Sequence, residues 1–573
     1  MTRRRTALLI GVATAAVFAK AAANGFVSFD DGVYITQNPH VLAGLTWPGL
    51  RWAFTTFAAG NWHPVTWISH MLDASLFGAD PFGHHAAGVL LHSLNAALVF
   101  LLFDRMTGAT GRAAACAALF AVHPLRVESV AWASERKDLL AAFFGLLALL
   151  AYVRAARDRS PRALWAGVGF YAAGLMAKPT LVGMPFLLAA MDFWPLDRLA
   201  RETPMPRQTA AKKPPPSWKA LLLEKVPFVA LAAGLCVVTL AAQRRGGATS
   251  ALAVPLPARL GNAAIAVVRY LGKTLAPTDL AALYPHPLVL EPARTAAALA
   301  IIAAVTAACI ALRRERPYLL FGWTWFLASV SPTLGFVQVG WQAMADRYTY
   351  LPSIGLAVII VWGSSDLLLP RVPRKALAVG AVFCLLLLSA LTIRQIGFWR
   401  DSLTLWQHAL AATRNNVTAE LNLGGELLKA HRAEEALVHL ARASQLAPND
   451  PGPEFSLGAA YASLGRYADS QRAYEEALRL SPSSAAIHLK LGELLASQGR
   501  WAEALPHFEA QVRLEPSSPG ARYNLALALE RLGRVEEAIQ ELRLAVASSP
   551  RDPRPEEELR RLLRESPGGR REP

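Results

Sequence analysis

The first 394 residues of this 573-residue chain are a succession of apolar runs separated by polar connectors, far more than one water-soluble core can absorb. After an N-terminal run ending near Asn24, they fall at 86–104, 113–127, 138–153, 163–178, 180–194, 220–242, 295–312, 318–336, 351–369 and 376–394. Hydrocarbon leaves backbone groups no partner but one another, so such runs must be helical. The pattern predicts about eleven spans, several of them shorter than the roughly 20 residues of a full crossing.

Charge orients them. Lys and Arg outnumber Asp and Glu, 58 to 42, but lie in clusters between apolar runs, with no basic stripe or basic-aromatic platform. That distribution excludes nucleic acid as a partner and reads as topology. Counting from a cytoplasmic N-terminus at Arg3, Arg4 and Arg5 places Arg105 with Arg112, Arg154 to Arg162, Arg198 to Lys219, Arg313 to Arg316 and Arg371 to Lys375 inside. The N-terminal run resembles a signal peptide as much as a first span; under either reading residues 25–85 lie outside. Cys116, Cys236, Cys309 and Cys384 sit within apolar runs without ligand spacing, so neither a disulfide framework nor a zinc site is indicated.

The polar, irregular connectors then share the outer face. They are the 25–85 loop, the stretch from His123 to Asp138, the segment 243–293 and the stretch from Gln338 to Pro352. The 25–85 loop carries Trp47, Trp52, Trp62, Trp67, His63, His70, His84 and His85, a composition suited to the lipid headgroup level and to one or two interfacial helices. Its histidines show no compact metal motif, so interfacial hydrogen bonding outweighs ligation, and a metal stays an open question. Residues 258–276 are apolar, but Arg269 and Lys273 fall four apart on one face, which predicts an amphipathic helix at the headgroups. Asp30 and Asp31, adjacent carboxylates at the membrane edge, are either a solvated turn or a site.

Beyond residue 396 the composition turns soluble and a period of 34 appears: Pro448, Pro482, Pro516 and Pro550. Gly424, Gly458, Gly492 and Ala526 keep this step, as do Ala436, Ser470, Ala504 and Ala538, while Leu440, Tyr474, Phe508 and Leu542 fill a large position. Small and large residues meeting between paired helices, with a closing Pro, resemble the tetratricopeptide repeat. Asp401 to Ala409 fits a preceding half-unit. Asn422, Ser456, Lys490 and Asn524 occupy equivalent polar positions, where an extended protein acceptor would bind or where a helix face is merely solvated. The domains read as 1–396, membrane; 397–555, repeats; and 556–573, a disordered tail.

Together, Phe29-Asp30-Asp31, His123-Pro-Leu-Arg126-Val-Glu128-Ser-Val-Ala-Trp132, Glu135-Arg136-Lys137-Asp138, Arg269-Tyr-Leu-Gly-Lys273, Tyr284-Pro-His286 and Ala-Asp346-Arg347-Tyr-Thr-Tyr350-Leu-Pro, ahead of such repeats, resemble the transmembrane and tetratricopeptide repeat-containing O-mannosyltransferases. The resemblance implies an all-α fold, a polytopic bundle of the GT-C glycosyltransferase class followed by an α-solenoid. It implies retention of the first span and a polyprenyl-phosphate sugar as donor, with no certain cofactor and a divalent metal left open. An acidic residue of the first outer loop would be the base, here Asp30 or Asp31; general-base catalysis is worth about 10²- to 10⁴-fold. Arg126, Arg136, Lys137 and Arg347 are candidates for the donor phosphate, or for ion pairs with Glu128, Glu135, Asp138 and Asp346. His123, Glu128, Asp346, Arg269 and Lys273 are read as supporting residues.

The function implied is inverting transfer of a hexose, mannose in the family, to a protein hydroxyl, with Asn422, Lys490 and Asn524 in the acceptor-binding repeats. The Ala- and Arg-rich composition points to a bacterial inner membrane with periplasmic repeats. A non-catalytic repeat scaffold for envelope assembly and a ligase or polymerase of lipid-linked glycans are the alternatives.

Overall fold

The computed structural model describes residues 2–199, 216–245, 254–336, 340, 342–549 and 552–565. Most of the inside connector from Arg198 to Lys219, part of the outer segment 243–293, Gln338 with its neighbours 337, 339 and 341, the repeat-closing Pro550 and the tail beyond 565 lie outside the described residues. The chain divides into two units, Met1–Arg414 and Asn415–Pro573.

The first unit begins with α1 (Arg3–Phe18) and an outer loop holding α2 (Pro39–Leu42), α3 (Trp47–Thr55) and α4 (Pro64–Phe77). Long helices follow: α5 (Pro81–Thr107), α6 (Thr110–Val122), the short α7 (Val127–Ala131), α8 (Arg136–Asp158), α9 (Pro161–Ala177), α10 (Met184–Phe193) and α11 (Trp218–Arg245). Then come α12 (Leu256–Leu275), α13 (Pro292–Ala311), α14 (Pro317–Val330), α15 (Pro352–Leu368), α16 (Arg374–Gly397) and α17 (Ser402–Ala412). A two-stranded antiparallel pair, β1 (Tyr284–Pro285) with β2 (Gln342–Met344), joins two of the polar connectors. Their ends obey local rules: Asp80 caps α5 through the Phe82 amide with Pro81 at its first position, and Ser160 caps α9.

Each apolar run is helical, but the expected count of about eleven spans is not reached by helices of span length. Six described helices are long and apolar enough to cross a bilayer, or seven if α6 and the turn through α7, bent by 60°, form one broken span. The runs at 163–178, 180–194, 318–336 and 351–369 became α9, α10, α14 and α15, each of 17 residues or fewer. Two of these short helices, α14 and α15, pack closely. Gly322 of α14 and Gly355 of α15 face each other's carbonyls, and a Cβ built on Gly322 would stand 2.4 Å from the Gly355 oxygen. Small residues let membrane helices approach to backbone contact. The helix α12 is not of span grade; it buries Ala263, Ala266, Val267 and Tyr270 and leaves Arg269 exposed, as an amphipathic helix should.

The outer loop is more than a surface layer. Tyr34, Ile35, Val41, Ala53, Trp67 and Met71 form a small core of their own with Ala133. Trp67, expected at the headgroups, is fully buried and stacks on Tyr34 at 4.8 Å; Trp47 remains exposed.

The second unit pairs α18 (Val417–Lys429) with α19 (Ala433–Leu446), α20 (Pro451–Ser463) with α21 (Tyr467–Leu480), α22 (Ala485–Ser497) with α23 (Trp501–Leu514) and α24 (Pro519–Arg531) with α25 (Val535–Ser548). The 34-residue pattern is realised in its packing. A Cβ on Gly424 would meet Leu440 at 2.5 Å, on Gly458 Tyr474 at 2.5 Å and on Gly492 Phe508 at 2.8 Å. Between the helices of each pair the chain turns through a left-handed residue: His431, Gly465, Gly499 and Gly533. Two boundaries differ from expectation. The half-unit α17 clusters with the first unit, because Asp401 to Ala412 packs its Trp406 there. The tail is not disordered at 556–565: α26 (Pro553–Glu565) buries Leu562 in the core of the last repeats.

Candidate active site

Asp30 and Asp31 follow α1 within a tight bend, and the bend separates their roles. The Asp31 side chain is wholly buried. One oxygen accepts the Val27 amide at 2.9 Å; the other accepts the Ser134 amide at 3.0 Å and the Ser134 hydroxyl. Burial nevertheless pushes its pKa up to about 6, since desolvation outweighs these donors. The carboxylate of Asp30 accepts no hydrogen bond among the described residues and is only partly shielded. Burial raises its pKa as well, opposed chiefly by the Lys137 ammonium and then by Arg347 and Lys178, with Glu135 adding to the rise. A carboxylate with free lone pairs and a raised pKa can take a proton; one already holding three donors is an anchor.

Around Asp30 stands a largely buried ionic cluster drawn from three separate stretches. Glu135 lies 3.0 Å from Lys137 and 2.9 Å from Lys178, with Arg347 Nε at 3.4 Å. Lys178 also reaches Asp138 at 2.7 Å, and Arg347 bonds Glu128 through both its guanidinium and its backbone amide. The Trp132 indole is the platform. Phe29 stacks on it at 4.4 Å, and Lys137 and Arg347 lie 5.5 and 5.3 Å from its centre. Lys137 also sits 4.4 Å over Tyr34. Next to the cluster lies a narrow cleft, lined by polar Asp138, Arg347 and Tyr348 and by apolar Leu181, Met184 and Leu187.

The other expected residues separate into braces and neighbours. Arg126 is fully buried between the Phe120 and Tyr350 rings and donates to Thr349 O at 2.9 Å and Thr349 Oγ1 at 2.6 Å. Arg136 points away from the cluster to Asp73 and the His84 carbonyl. His123 accepts the Leu125 amide on Nδ1 and donates from Nε2 to Thr274 O at 3.0 Å. Asp346 accepts the Tyr284 hydroxyl at 3.0 Å, and burial lifts its pKa to about 6 against the pull of Lys273. Arg269 and Lys273 lie 5.4 and 5.1 Å from the Tyr284 ring centre, and Lys273 donates to the carbonyls of Thr278 and Asp279. In the repeats, Asn422 donates to Thr418 O, Ser456 donates to Gly452 O, exposed Lys490 pairs with Glu493, and Asn524 is half-buried.

Sequence reasoning passed over Lys178, Ser134 and the Asp73–Arg136 pair. Lys178 had a local signal, a lone lysine between two apolar runs on the outer side of the charge count. The other two had none, since each depends on a partner about 60 residues or more away.

Fold and site together define a polytopic, all-α membrane protein carrying a tetratricopeptide repeat array. Residues 455–519 and 497–553 match the tetratricopeptide repeat family. Over 478 residues, 75% of the chain, it is 25% identical to the human protein O-mannosyl-transferase TMTC1, and the match spans 54% of that protein. It is 33% identical over 133 residues to Drosophila melanogaster Tmtc1, 23% of this chain and 16% of that one, and 27% identical over 139 residues to human TMTC3, 24% and 15%. These similarities bear out the resemblance to the transmembrane and tetratricopeptide repeat-containing O-mannosyltransferases; the chain spans about half the length of the relative it matches most extensively. Among solved structures, MamA from Desulfovibrio magneticus RS-1 is 27% identical with a TM-score of 0.25, covering 26% of this chain and 84% of its own.

Proposed function

We propose that this chain is a membrane glycosyltransferase that moves a hexose from a polyprenyl-phosphate donor to a protein hydroxyl on the extracytoplasmic side. The observation that carries the reading is Asp30: a carboxylate without hydrogen-bond partners among the described residues, set beside the buried cations Lys137 and Arg347 and the partly buried Lys178 in a chain similar to protein O-mannosyl-transferases. Mannose is the sugar the relatives' names suggest, and the repeats are the acceptor-binding surface. Asn422, Lys490 and Asn524 are its candidate contacts, and a bacterial inner membrane with periplasmic repeats is the setting we favour.

The chemistry follows from the arrangement. The acceptor hydroxyl oxygen attacks the anomeric carbon while the bond from that carbon to the phosphate oxygen breaks. Asp30 takes the hydroxyl proton, and the polyprenyl phosphate leaves with the bonding electrons. Direct displacement inverts the anomeric centre. Lys137, Lys178 and Arg347 retain donor hydrogens beyond those used by Glu128, Glu135 and Asp138, so they can meet the charge that develops on the departing phosphate. Leu181, Met184 and Leu187 offer an apolar wall to the first prenyl units. Arg126 and Arg136 are braces in this scheme, and Asp31 sets the bend that presents Asp30.

Purified full-length protein given labelled polyprenyl-phosphate hexoses and a Ser/Thr-rich acceptor peptide tests the proposal. Transfer abolished in Asp30→Asn supports it. Absence of donor consumption with every sugar sinks it and favours the scaffold.

A further inference from the structure

Next to the ionic cluster, but separate from it, the outer loop gathers His70 and Asp73 on one turn of α4 with His84 at the start of α5. One ligand atom from each lies within 4.8 Å of the other two, and all three residues are buried. We propose that this trio binds one divalent transition-metal ion of the zinc class, which fastens α4 to α5. The site is independent of the glycosyl-transfer reading.

Three observations carry it. First, both ring nitrogens of His70 lack a partner among the described residues although the side chain is fully buried. An imidazole so placed leaves a hydrogen-bonding group unsatisfied, which proteins rarely tolerate without a ligand. Second, His84 Nε2 faces the Gly78 carbonyl at 3.1 Å and must donate to it. That fixes the tautomer and leaves the Nδ1 lone pair 3.4 Å from Asp73 Oδ2, itself an acceptor. Two acceptors facing each other at this distance offer a place for a shared cation. A ligating histidine whose second nitrogen donates to a backbone carbonyl is the arrangement that orients metal-binding rings. Third, the donor set of two imidazoles and a carboxylate suits zinc, which takes three protein ligands and one exchangeable position in open sites. Arg136 donates to the same Asp73 oxygen, Oδ2, as an outer partner that holds the carboxylate in place and leaves Oδ1 open to an ion.

The competing arrangement is a proton: His84 as an imidazolium sharing Asp73 with Arg136. A proton would satisfy His84 but not His70. The location gives an ion leverage, since Phe26 packs on His84 at 5.5 Å and His85 approaches the Gly25 carbonyl at 3.3 Å, on the strand of chain that leads to Asp30.

Tag-free full-length protein in detergent, equilibrated with Zn(II), desalted and analysed by mass spectrometry of the metal, is expected to hold about one ion per chain. The content should fall at least about tenfold in His70→Ala and His84→Ala but not in His40→Ala, which alters an exposed histidine of the same loop. Zn(II) should also raise the melting temperature of the wild type and leave that of His70→Gln unchanged. Should His84→Ala not fold, the volume-conserving His70→Gln decides. Wild-type protein retaining less than a tenth of an ion, or His70 variants that keep theirs, overturns the proposal.

Discussion

Ser134 donates both its backbone amide, at 3.0 Å, and its hydroxyl to a single carboxylate oxygen of Asp31, tying the first outer loop to the turn that precedes α8. The tie separates two adjacent carboxylates by function. Asp30→Asn is expected to lower transfer by about 10²- to 10⁴-fold with the melting temperature preserved. In Asp31→Asn the amide presents a donor or a single acceptor where three donors converge, at a cost of about 1–3 kcal/mol. That variant should lose stability and activity together. Paired thermal melts and donor-turnover assays separate the two outcomes, and equal melts with equal turnover would contradict the division of roles.

Burial also predicts how pH acts on each. Asp30 is held above its ordinary value of 3.8, so the acidic limb of the rate profile should lie above the usual carboxylate range. Asp31 is lifted from 3.8 to about 6, so between those values the folded state binds more protons than the unfolded one. Stability then falls as pH rises through that window, by at most about 3 kcal/mol. Melts of wild type against Asp31→Asn at several pH values should show their difference changing between about pH 4 and pH 6 and staying flat above it.

In the proposed scheme Arg126 is a brace and Lys178 a cation at the donor phosphate, and the two should respond differently to substitution. Arg126→Lys loses the forked contact with Thr349 and should lower the melting temperature, while kcat/KM for the donor per folded molecule stays within about twofold. Lys178→Gln should lower that kcat/KM by about tenfold or more, and Lys178→Arg should recover part of it by restoring charge. Steady-state kinetics against donor concentration decide. A larger kinetic loss in Arg126→Lys would return Arg126 to the donor site.

In the repeats, Gly458→Ala drives a methyl to 2.5 Å from the Tyr474 ring and should destabilise the array by about 1–3 kcal/mol. Gly425→Ala, one turn position away from the packed Gly424 face, meets nothing within 4 Å and should stabilise α18 by about 0.5–1 kcal/mol. Denaturant melts of the two full-length variants should therefore shift in opposite directions.

Much of this architecture was legible because it is periodic. The 34-residue step places Gly424, Gly458 and Gly492 against Leu440, Tyr474 and Phe508, since helix pairing repeats wherever the small and large positions repeat. Apolar runs likewise predicted every helix of the first unit from α5 to α16 except the short α7, because hydrocarbon leaves the backbone no other structure; α12 was predicted as an interfacial helix. Helix lengths were less legible, as α14 and α15 show: glycines and flanking prolines shape them through packing, not through hydropathy.

The sequence by itself determined that Asp30 and Asp31 are adjacent carboxylates just past the first apolar run, and that the stretch from His123 to Asp138 is rich in Arg, Lys and Glu. Only the tertiary structure decided that Asp31 is occupied by Ser134 and Val27 while Asp30 accepts no hydrogen bond among the described residues, that Arg136 belongs to Asp73, and that Lys178 belongs in the cluster. The reason is physical. Periodicity reports which face of an element is buried, whereas the role of a buried charge is set by which donors meet it across the fold, and those partners are too distant along the chain to leave a local trace.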